Sequence, residues 1–166
     1  MGMVEVVLRA VRVDVGSSTP LLLLEEVSGN RVLPIFIGAP EAAAIAYALQ
    51  EVVAPRPMTH DLLGNVVTAL GARLFAVEIT ELVDNTFYAS LRLLAGDREV
   101  AISARPSDAV ALALRVRAPI LVADDLMDAE GQVYASEEAE GEVREDELLA
   151  ELRYFLDTVR PEDFDQ

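Results

Sequence analysis

The chain of 166 residues contains no cysteine, no lysine and only one histidine, His60. Without cysteine it can form no disulfide, no thiolate zinc site and no thiol nucleophile. No stretch approaches 18 consecutive apolar residues, and residues 1–15 alternate like a strand instead of showing the layout of a signal peptide. These absences predict a cytoplasmic protein that has no membrane partner.

The acidic charge is concentrated at the carboxyl end. The net charge is −16, but residues 1–123 carry 13 acidic residues and 10 arginines, whereas residues 124–166 carry 16 acidic residues and 3 arginines. Arginine suits bidentate binding of phosphate. However, the chain has no lysine at all, so a compositional bias explains the arginines equally well. A bound nucleic acid is therefore expected to be held weakly and to be sensitive to salt.

The length and the pattern of polar residues predict one domain with an appendage. We place the domain at residues 1–127, an acidic mobile linker at 128–142 and an acidic carboxyl-terminal amphipathic helix at 143–166. The helix has one apolar stripe, formed by Leu148, Leu149, Leu152, Phe155, Leu156 and Val159. That stripe must pack on the domain or on a neighbouring subunit, and we expect a homo-oligomer, with a dimer favoured.

A shift of 67 residues aligns residues 19–48 with residues 86–115 without a gap. Eight of the 30 aligned positions are identical, and both segments carry a turn signal between two apolar runs, which is typical of a hairpin. We predict an internally duplicated α+β fold, with a mixed or mainly antiparallel sheet built from strand, hairpin and helix units. The first unit has strands at 3–15, 20–27 and 31–37 and a helix from Pro40 to about 53. The second has strands at 73–83, 86–94 and 98–104 and a helix at 106–117.

His60 lies in the segment "PMTHDL", at the start of a predicted helix over residues 59–70. We expect Thr59 to be a structural N-cap, which places His60 and Asp61 in the first turn. The positive field at a helix N-terminus disfavours a protonated imidazole, so a neutral His60 is available as a base or a metal ligand. The alternative is that Asp61 is an ordinary first-turn anion and His60 a surface or packing residue.

Carboxylates also stand near the starts of the two repeat helices. Glu41 and Asp108 occupy equivalent places, and Arg105 and Ser107 flank the second. If three helix N-termini meet at one edge, these side chains form a polar pocket for an anion or a divalent metal.

Four segments in succession, "RVLPIFIGAPEAAAIAYAL", "RPMTHDLLGNVVTALGA", "FYASLRL" and "SARPSDAVALALRVRAPILVA", resemble the bifunctional nuclease domain family of bacterial and plant proteins over about residues 3–127. The resemblance implies an α+β nuclease that acts on both DNA and RNA with little base selectivity. The motif positions that it carries over are Glu41, Arg56, Thr59, His60, Asp61, Arg105, Ser107 and Asp108.

We assign roles to these positions from their chemistry. The predicted catalytic residues are His60, Asp61, Glu41 and Asp108, and the last three are also the candidate ligands of Mg²⁺ or Mn²⁺. Arg56, Arg105 and Ser107 are the candidate phosphate-binding residues. Two alternatives stay open: a non-catalytic regulatory oligomer that binds an anionic ligand, and motifs that serve only as caps and turns. Within residues 1–127, no D-x-D or H-x-H pair and no basic stripe with aromatic residues appears.

Overall fold

A computed structural model describes residues 2–133 of the chain, which form a single sheet with four helices. The strands are β1 (Met3–Val13), β2 (Pro20–Glu26), β3 (Arg31–Phe36), β4 (Ala72–Val83), β5 (Thr86–Ala95), β6 (Arg98–Ala104), β7 (Ile120–Ala123) and β8 (Gln132–Val133). The helices are α1 (Ala39–Leu49), α2 (Thr59–Ala69), α3 (Pro106–Val116) and α4 (Asp124–Glu130).

The strand order across the sheet is β6-β5-β4-β7-β1-β2-β3-β8. The β4–β7 pair is parallel, and the other neighbouring strands are antiparallel. A parallel pair requires a crossover connection, and here the chain returns from β6 to β7 through α3. The α+β class and the mixed, mainly antiparallel sheet predicted from the sequence are confirmed.

Each half of the sheet is a three-stranded antiparallel unit followed by a helix: β1, β2, β3 and α1, then β4, β5, β6 and α3. In the second half, Asp84 and Asn85 have φ values of 49° and 60°, as the two central residues of a tight hairpin turn require. The element order agrees with the predicted units. The duplication itself stays a prediction, which a superposition of residues 10–48 on residues 76–115 would test.

Helix α3 lies at the centre of the helical layer, in contact with α1, α2, β4 and β5. Its consecutive residues 109–113 are all buried, because alanines alternate with Val110 and Leu112 and small side chains let neighbouring elements approach from several sides. The polar residues at its two ends, Arg105 with Asp108 and Arg115, are therefore held against the other two helices. This packing positions the candidate site.

Helix α2 packs on α3 through one side only. Gly64 lies on that side, where an added Cβ would stand 3.6 Å from side-chain atoms of Leu112 and Val116. Its apolar residues are divided between the two sides: Val67 packs against the core, whereas Leu62, Leu63, Val66 and Leu70 are exposed. The sequence pattern located the helix correctly but did not show which apolar residues the fold would cover.

Three expected boundaries are corrected. Residues 128–133, assigned to the linker, belong to the end of α4 and to β8, which pairs with β3; buried Met127 anchors α4 in the core. Helix α1 begins at Ala39, one residue before Pro40, and ends at Leu49 instead of near residue 53. The remainder of the linker and the carboxyl-terminal amphipathic helix lie outside the described residues.

Candidate active site

The amino ends of α1, α2 and α3 are joined by one chain of polar contacts. Arg105, the N-cap residue of α3, donates through Nη2 to Glu41 Oε1 of α1 at 2.9 Å and through Nε to Asp108 Oδ2 at 2.8 Å. The other oxygen of Asp108, Oδ1, is 2.9 Å from Nε2 of His60 in the first turn of α2. The structure thus brings together Glu41, Arg105, Asp108 and His60, four of the residues singled out in the sequence.

His60 is the buried end of this series of polar contacts, with 9% of the residue exposed. Because Nε2 is engaged by Asp108, the imidazole is held in one orientation. The other ring nitrogen, Nδ1, has no hydrogen-bond partner among residues 2–133. One nitrogen is therefore fixed by a carboxylate while the other makes no hydrogen bond within residues 2–133, which is the arrangement of an oriented general base.

Asp108 is a half-buried carboxylate whose pKa reflects two opposing effects. Partial burial alone raises the pKa of Asp108, but the hydrogen bonds from Arg105 and His60, together with their charges, outweigh burial and hold the pKa below its ordinary value. The hydrogen bonds to Asp108 and Glu41 raise the pKa of Arg105. Both groups are therefore charged near neutral pH. The Arg105 side chain remains 65% exposed, so its guanidinium can still meet an incoming anion.

Asp61 takes part in a separate set of contacts, although it is next to His60 in the chain. Its Oδ2 accepts the backbone N–H of Met58 at 3.0 Å, and its Oδ1 accepts Nε of Arg115 at 2.7 Å. Burial alone raises the pKa of Asp61, and the hydrogen bonds from Met58 and Arg115 more than compensate and lower it. Arg115 also donates to the carbonyl oxygens of Ala111 at 2.8 Å and Ala44 at 2.9 Å. Asp61 and Arg115 thus link α2 and α3 to the backbone of α1.

The role assigned to Thr59 needs a correction. Helix α2 begins at Thr59, so the N-cap is Met58, and no side chain of the cap residue bonds the first turn. The carboxylate of Asp61, at the third helical position, instead accepts the N–H of Met58 and so satisfies an amide at the start of the helix. The sequence favoured threonine as the cap because of its hydroxyl, but the helix starts one residue earlier than that choice requires.

A cavity of about 320 Å³ adjoins Arg105. It lies where the end of β3 and the turn between β4 and β5 approach the start of α3. Its lining combines Arg105 with the aromatic rings of Phe36, which is 62% exposed, and Phe87. Ser107, a candidate phosphate-binding residue, also lines the cavity but is buried, and its phosphate-binding role stays a prediction. The cavity therefore offers a cation and aromatic surface side by side, the two features that bind single-stranded nucleic acid.

Arg56 lies apart from the polar chain. It is exposed in the segment before α2 and makes no ion pair or side-chain hydrogen bond with the rest of the described region. Its phosphate-binding role stays a prediction.

Arg115 was not singled out in the sequence. The acidic first turn of α2 implied a cation nearby, but the identity of that cation depends on how α2 crosses α3.

The carboxylates do not fit a metal ion as they stand. Within residues 2–133, no group of three or more histidine, aspartate or glutamate side chains is placed to hold one. Glu41 and Asp108 share the guanidinium of Arg105, and Asp61 bonds Arg115, so arginine nitrogens occupy the positions where a cation would neutralise these carboxylates. The role of Asp61, Glu41 and Asp108 as ligands of Mg²⁺ or Mn²⁺ stays a prediction from the sequence.

Comparison with known proteins places the chain among relatives of two kinds. Uncharacterized proteins from two strains of Mycobacterium tuberculosis are 47% identical over 167 residues, which covers 99% of this chain and 98% of theirs. A protein named bifunctional nuclease 1 from rice, Oryza sativa subsp. indica, is 30% identical over 61% of this chain and 32% of its own length. Bifunctional nuclease 2 of Arabidopsis thaliana is 30% identical over 63% of this chain.

The family assignment follows from a match that covers more than half of the chain. None of the helices within residues 2–133 is both long enough and apolar enough to cross a membrane. The family model for the bifunctional nuclease domain matches residues 22–135, a range that contains the starts of α1, α2 and α3 and every residue of the polar chain described above. This chain belongs to the bifunctional nuclease domain family.

Proposed function

We propose that this protein is a nuclease that hydrolyses phosphodiester bonds in DNA and RNA with little base selectivity. The observation that supports it most is the chain His60–Asp108–Arg105–Glu41, because it sets an oriented imidazole beside an exposed guanidinium. Membership of the bifunctional nuclease domain family points to the same chemistry. The mycobacterial relatives are uncharacterized, so their names point to no activity.

His60 is the general base in this proposal. Its Nδ1 takes a proton from a water molecule as that water attacks the phosphorus atom, and Asp108 stabilises the imidazolium that forms. The bond from phosphorus to the leaving oxygen breaks, that oxygen takes a proton from solvent, and the imidazolium then returns its proton to solvent. The carboxylate is suited to this role because its lowered pKa keeps it ionised when the imidazole gains a proton. Glu41 and Asp108 together hold Arg105, so they act as positioning residues for the cation.

Arg105 binds the phosphate and offsets the negative charge that grows on its oxygens during attack. The amino ends of α1, α2 and α3 add positive partial charge from the same side, because each exposes backbone N–H groups that have no partner inside the helix. In this proposal Arg56 contacts a neighbouring phosphate from the segment before α2. Arg105 and Arg56 thereby bind a feature that every nucleotide shares.

The substrate strand lies across the cavity beside Arg105. Phe36 and Phe87 stack on one base, a contact that tolerates any base because every base has a flat apolar face. The net charge of −16 opposes binding of a polyanion, so the affinity should be modest and should fall as salt is added. Low base selectivity follows from this mixture of stacking and phosphate contacts.

The test is nuclease activity of the full chain and of matched variants. We expect His60→Ala and Asp108→Asn to abolish release of nucleotides from single-stranded DNA and from RNA, and Arg105→Gln to reduce it strongly. Each reaction is run with Mg²⁺, with Mn²⁺ and with a chelator, so that the metal requirement predicted from the sequence is measured in the same assay. Thermal unfolding of each variant shows whether activity is lost without loss of the fold.

Arg98→Gln is the matched control for Arg105→Gln. Arg98 begins β6 at the far end of that strand from Arg105, and it forms no ion pair with the rest of residues 2–133. The control should cleave like the parent chain. If purified parent protein cleaves nothing under all three metal conditions, or if His60→Ala cleaves normally, the nuclease proposal is wrong. Binding of an oligonucleotide without cleavage would support the alternative of a regulatory, anion-binding protein.

Two further properties belong to the proposal. We place the protein in the cytoplasm and expect it to form a homodimer, as the sequence suggests. Sedimentation measurements on the full chain, and fractionation of cells that produce it, test these two points.

A further inference from the structure

Helix α2 has an exposed apolar face that needs a partner. Met58, Leu62, Val66 and Leu70 follow one another at intervals of four residues, with Leu63 beside them, and each is between 37% and 79% exposed. At 100° per residue, Leu62 stands about 200° from His60, so this face lies opposite the buried side of α2. A helix that is apolar on both sides is normally covered on both sides.

Three exposed arginines lie near α2, and none of them has an ion-pair partner within residues 2–133. Arg56 precedes α2, and Arg73 follows it at the start of β4. Arg73 and Arg117 both line a groove of about 350 Å³ along the edge of α2 that is nearest α3, together with Gly64, Val67 and Thr68. All three arginines are exposed, and none forms an ion pair or a side-chain hydrogen bond within residues 2–133. The occupant of the α2 face should therefore be apolar on one side and acidic on the other.

We propose that the amphipathic segment 145–159 of the same chain docks on this exposed face of α2. Its apolar stripe, from Leu148 to Val159, matches the apolar face, and its remaining side chains are mainly acidic. Residues 134–166 as a whole contain 12 acidic residues and 3 arginines, a net charge of −9 that complements Arg56, Arg73 and Arg117. Both halves of the recognition are thus supplied by one segment.

The connection between the two is long enough. Fourteen residues separate Val133, where the described chain ends, from Leu148. Fully extended, they span about 45 Å, whereas a compact unit of about 130 residues has a radius of gyration of about 14 Å. The segment can therefore reach α2 from wherever β8 ends on the same molecule.

A second copy of the same face is a poorer occupant. In a two-fold contact through α2, the same patch meets itself, so Arg56, Arg73 and Arg117 of one molecule would approach the same three arginines of the other. That repulsion is absent when the acidic segment covers the face. Tethering also favours the segment, because attachment to the same chain holds it near the face at an effective concentration in the millimolar range.

The lack of natural cysteines allows a direct test with the full-length chain. Leu62→Cys is combined with Leu152→Cys, and cross-linking by a mild oxidant is followed by mass on non-reducing gels at submicromolar protein. The matched control combines Leu152→Cys with Val15→Cys, since Val15 is 96% exposed in the turn between β1 and β2. We expect an intrachain disulfide that forms at least about tenfold faster in the first pair than in the control.

A second measurement does not depend on the register of docking. Leu152→Asp with Leu156→Asp in the full-length chain should speed hydrogen exchange of amides 62–70 at least about tenfold and leave the amides of β2 unchanged. Cross-linking at the control rate together with unchanged exchange would show that the segment does not cover α2. A product that is mainly a disulfide-linked dimer would assign the face to a second molecule and would equally overturn the proposal.

Discussion

The Asp61–Arg115 pair makes a quantitative prediction about stability. Asp61→Ala removes the acceptor for the N–H of Met58, which costs about 1 kcal/mol, as loss of a helix cap does. It also removes a 2.7 Å hydrogen bond to Arg115, whose side chain is only 11% exposed. A hydrogen bond between charged groups contributes about 1.5–3 kcal/mol, but the Asp61 side chain is 38% exposed, so solvent screening reduces this to about 1 kcal/mol. We expect a total loss of about 2 kcal/mol in the free energy of unfolding.

The comparison of Asp61→Ala with Asp61→Asn separates the two contributions. Asparagine keeps one oxygen that can accept the N–H of Met58, but its amide nitrogen cannot accept from Arg115. Asp61→Asn should therefore lose only the Arg115 contribution, about 1 kcal/mol. Urea unfolding followed by far-ultraviolet circular dichroism measures both values. In a double-mutant cycle with Arg115→Met, the coupling between the two side chains should be about 1 kcal/mol.

Two results would refute this reasoning. A loss below about 0.5 kcal/mol in Asp61→Ala, or a coupling energy near zero, would show that the pair adds nothing to stability. The same variants also test the catalytic role predicted for Asp61 from the sequence. The contacts of Asp61 predict that Asp61→Asn lowers the free energy of unfolding but has a smaller effect on nuclease activity. For His60→Ala we expect the reverse, loss of activity with little loss of stability. Complete loss of activity in a fully stable Asp61→Asn protein would instead make Asp61 catalytic.

The remaining predictions concern pH and two positions outside the site. The pKa values of Asp61 and Asp108 are lowered in the folded state. The contribution of these ionised carboxylates to stability is therefore complete above about pH 4 and is lost as the pH falls through their folded-state pKa values. The destabilisation caused by Asp61→Asn should accordingly become smaller when urea unfolding is measured at acid pH. Arg31 donates to both oxygens of buried Glu26 at 2.8 and 2.7 Å, so Arg31→Gln should lower the free energy of unfolding by about 2 kcal/mol, and an unchanged urea midpoint would contradict this. Gly71 ends α2 with φ of +76° and open space around its Cα, so Gly71→Ala should cost about 1 kcal/mol through backbone strain alone, whereas no loss would show that the turn relaxes.

The elements that follow local rules were predictable from the sequence. Alternation and turn residues located the six long strands β1 to β6 and the hairpin turn at Gly96, because period-two burial and left-handed turn positions are properties of short segments. Pro106 opens α3 at its first position, and Gly71 follows α2, as the capping rules predict. The short elements α4 and β8 escaped this reasoning, because β8 is held by pairing with β3 and α4 is anchored by burial of Met127.

The site divides in the same way between sequence and tertiary structure. Helix starts, first-turn acids and the single histidine are visible in the sequence, and with the motifs of the family they identified Glu41, His60, Arg105 and Asp108 as candidates. Which of them touch depends on how three helices, separated in sequence by up to 64 residues, cross one another. The fold joined Arg105 to both Glu41 and Asp108 and joined Asp108 to His60. Asp61 instead bonds Arg115, because consecutive side chains of a helix point about 100° apart, so Asp61 and His60 face different neighbours. Sequence alone therefore identified the candidate residues, and packing around the buried alanines of α3 decided their partners.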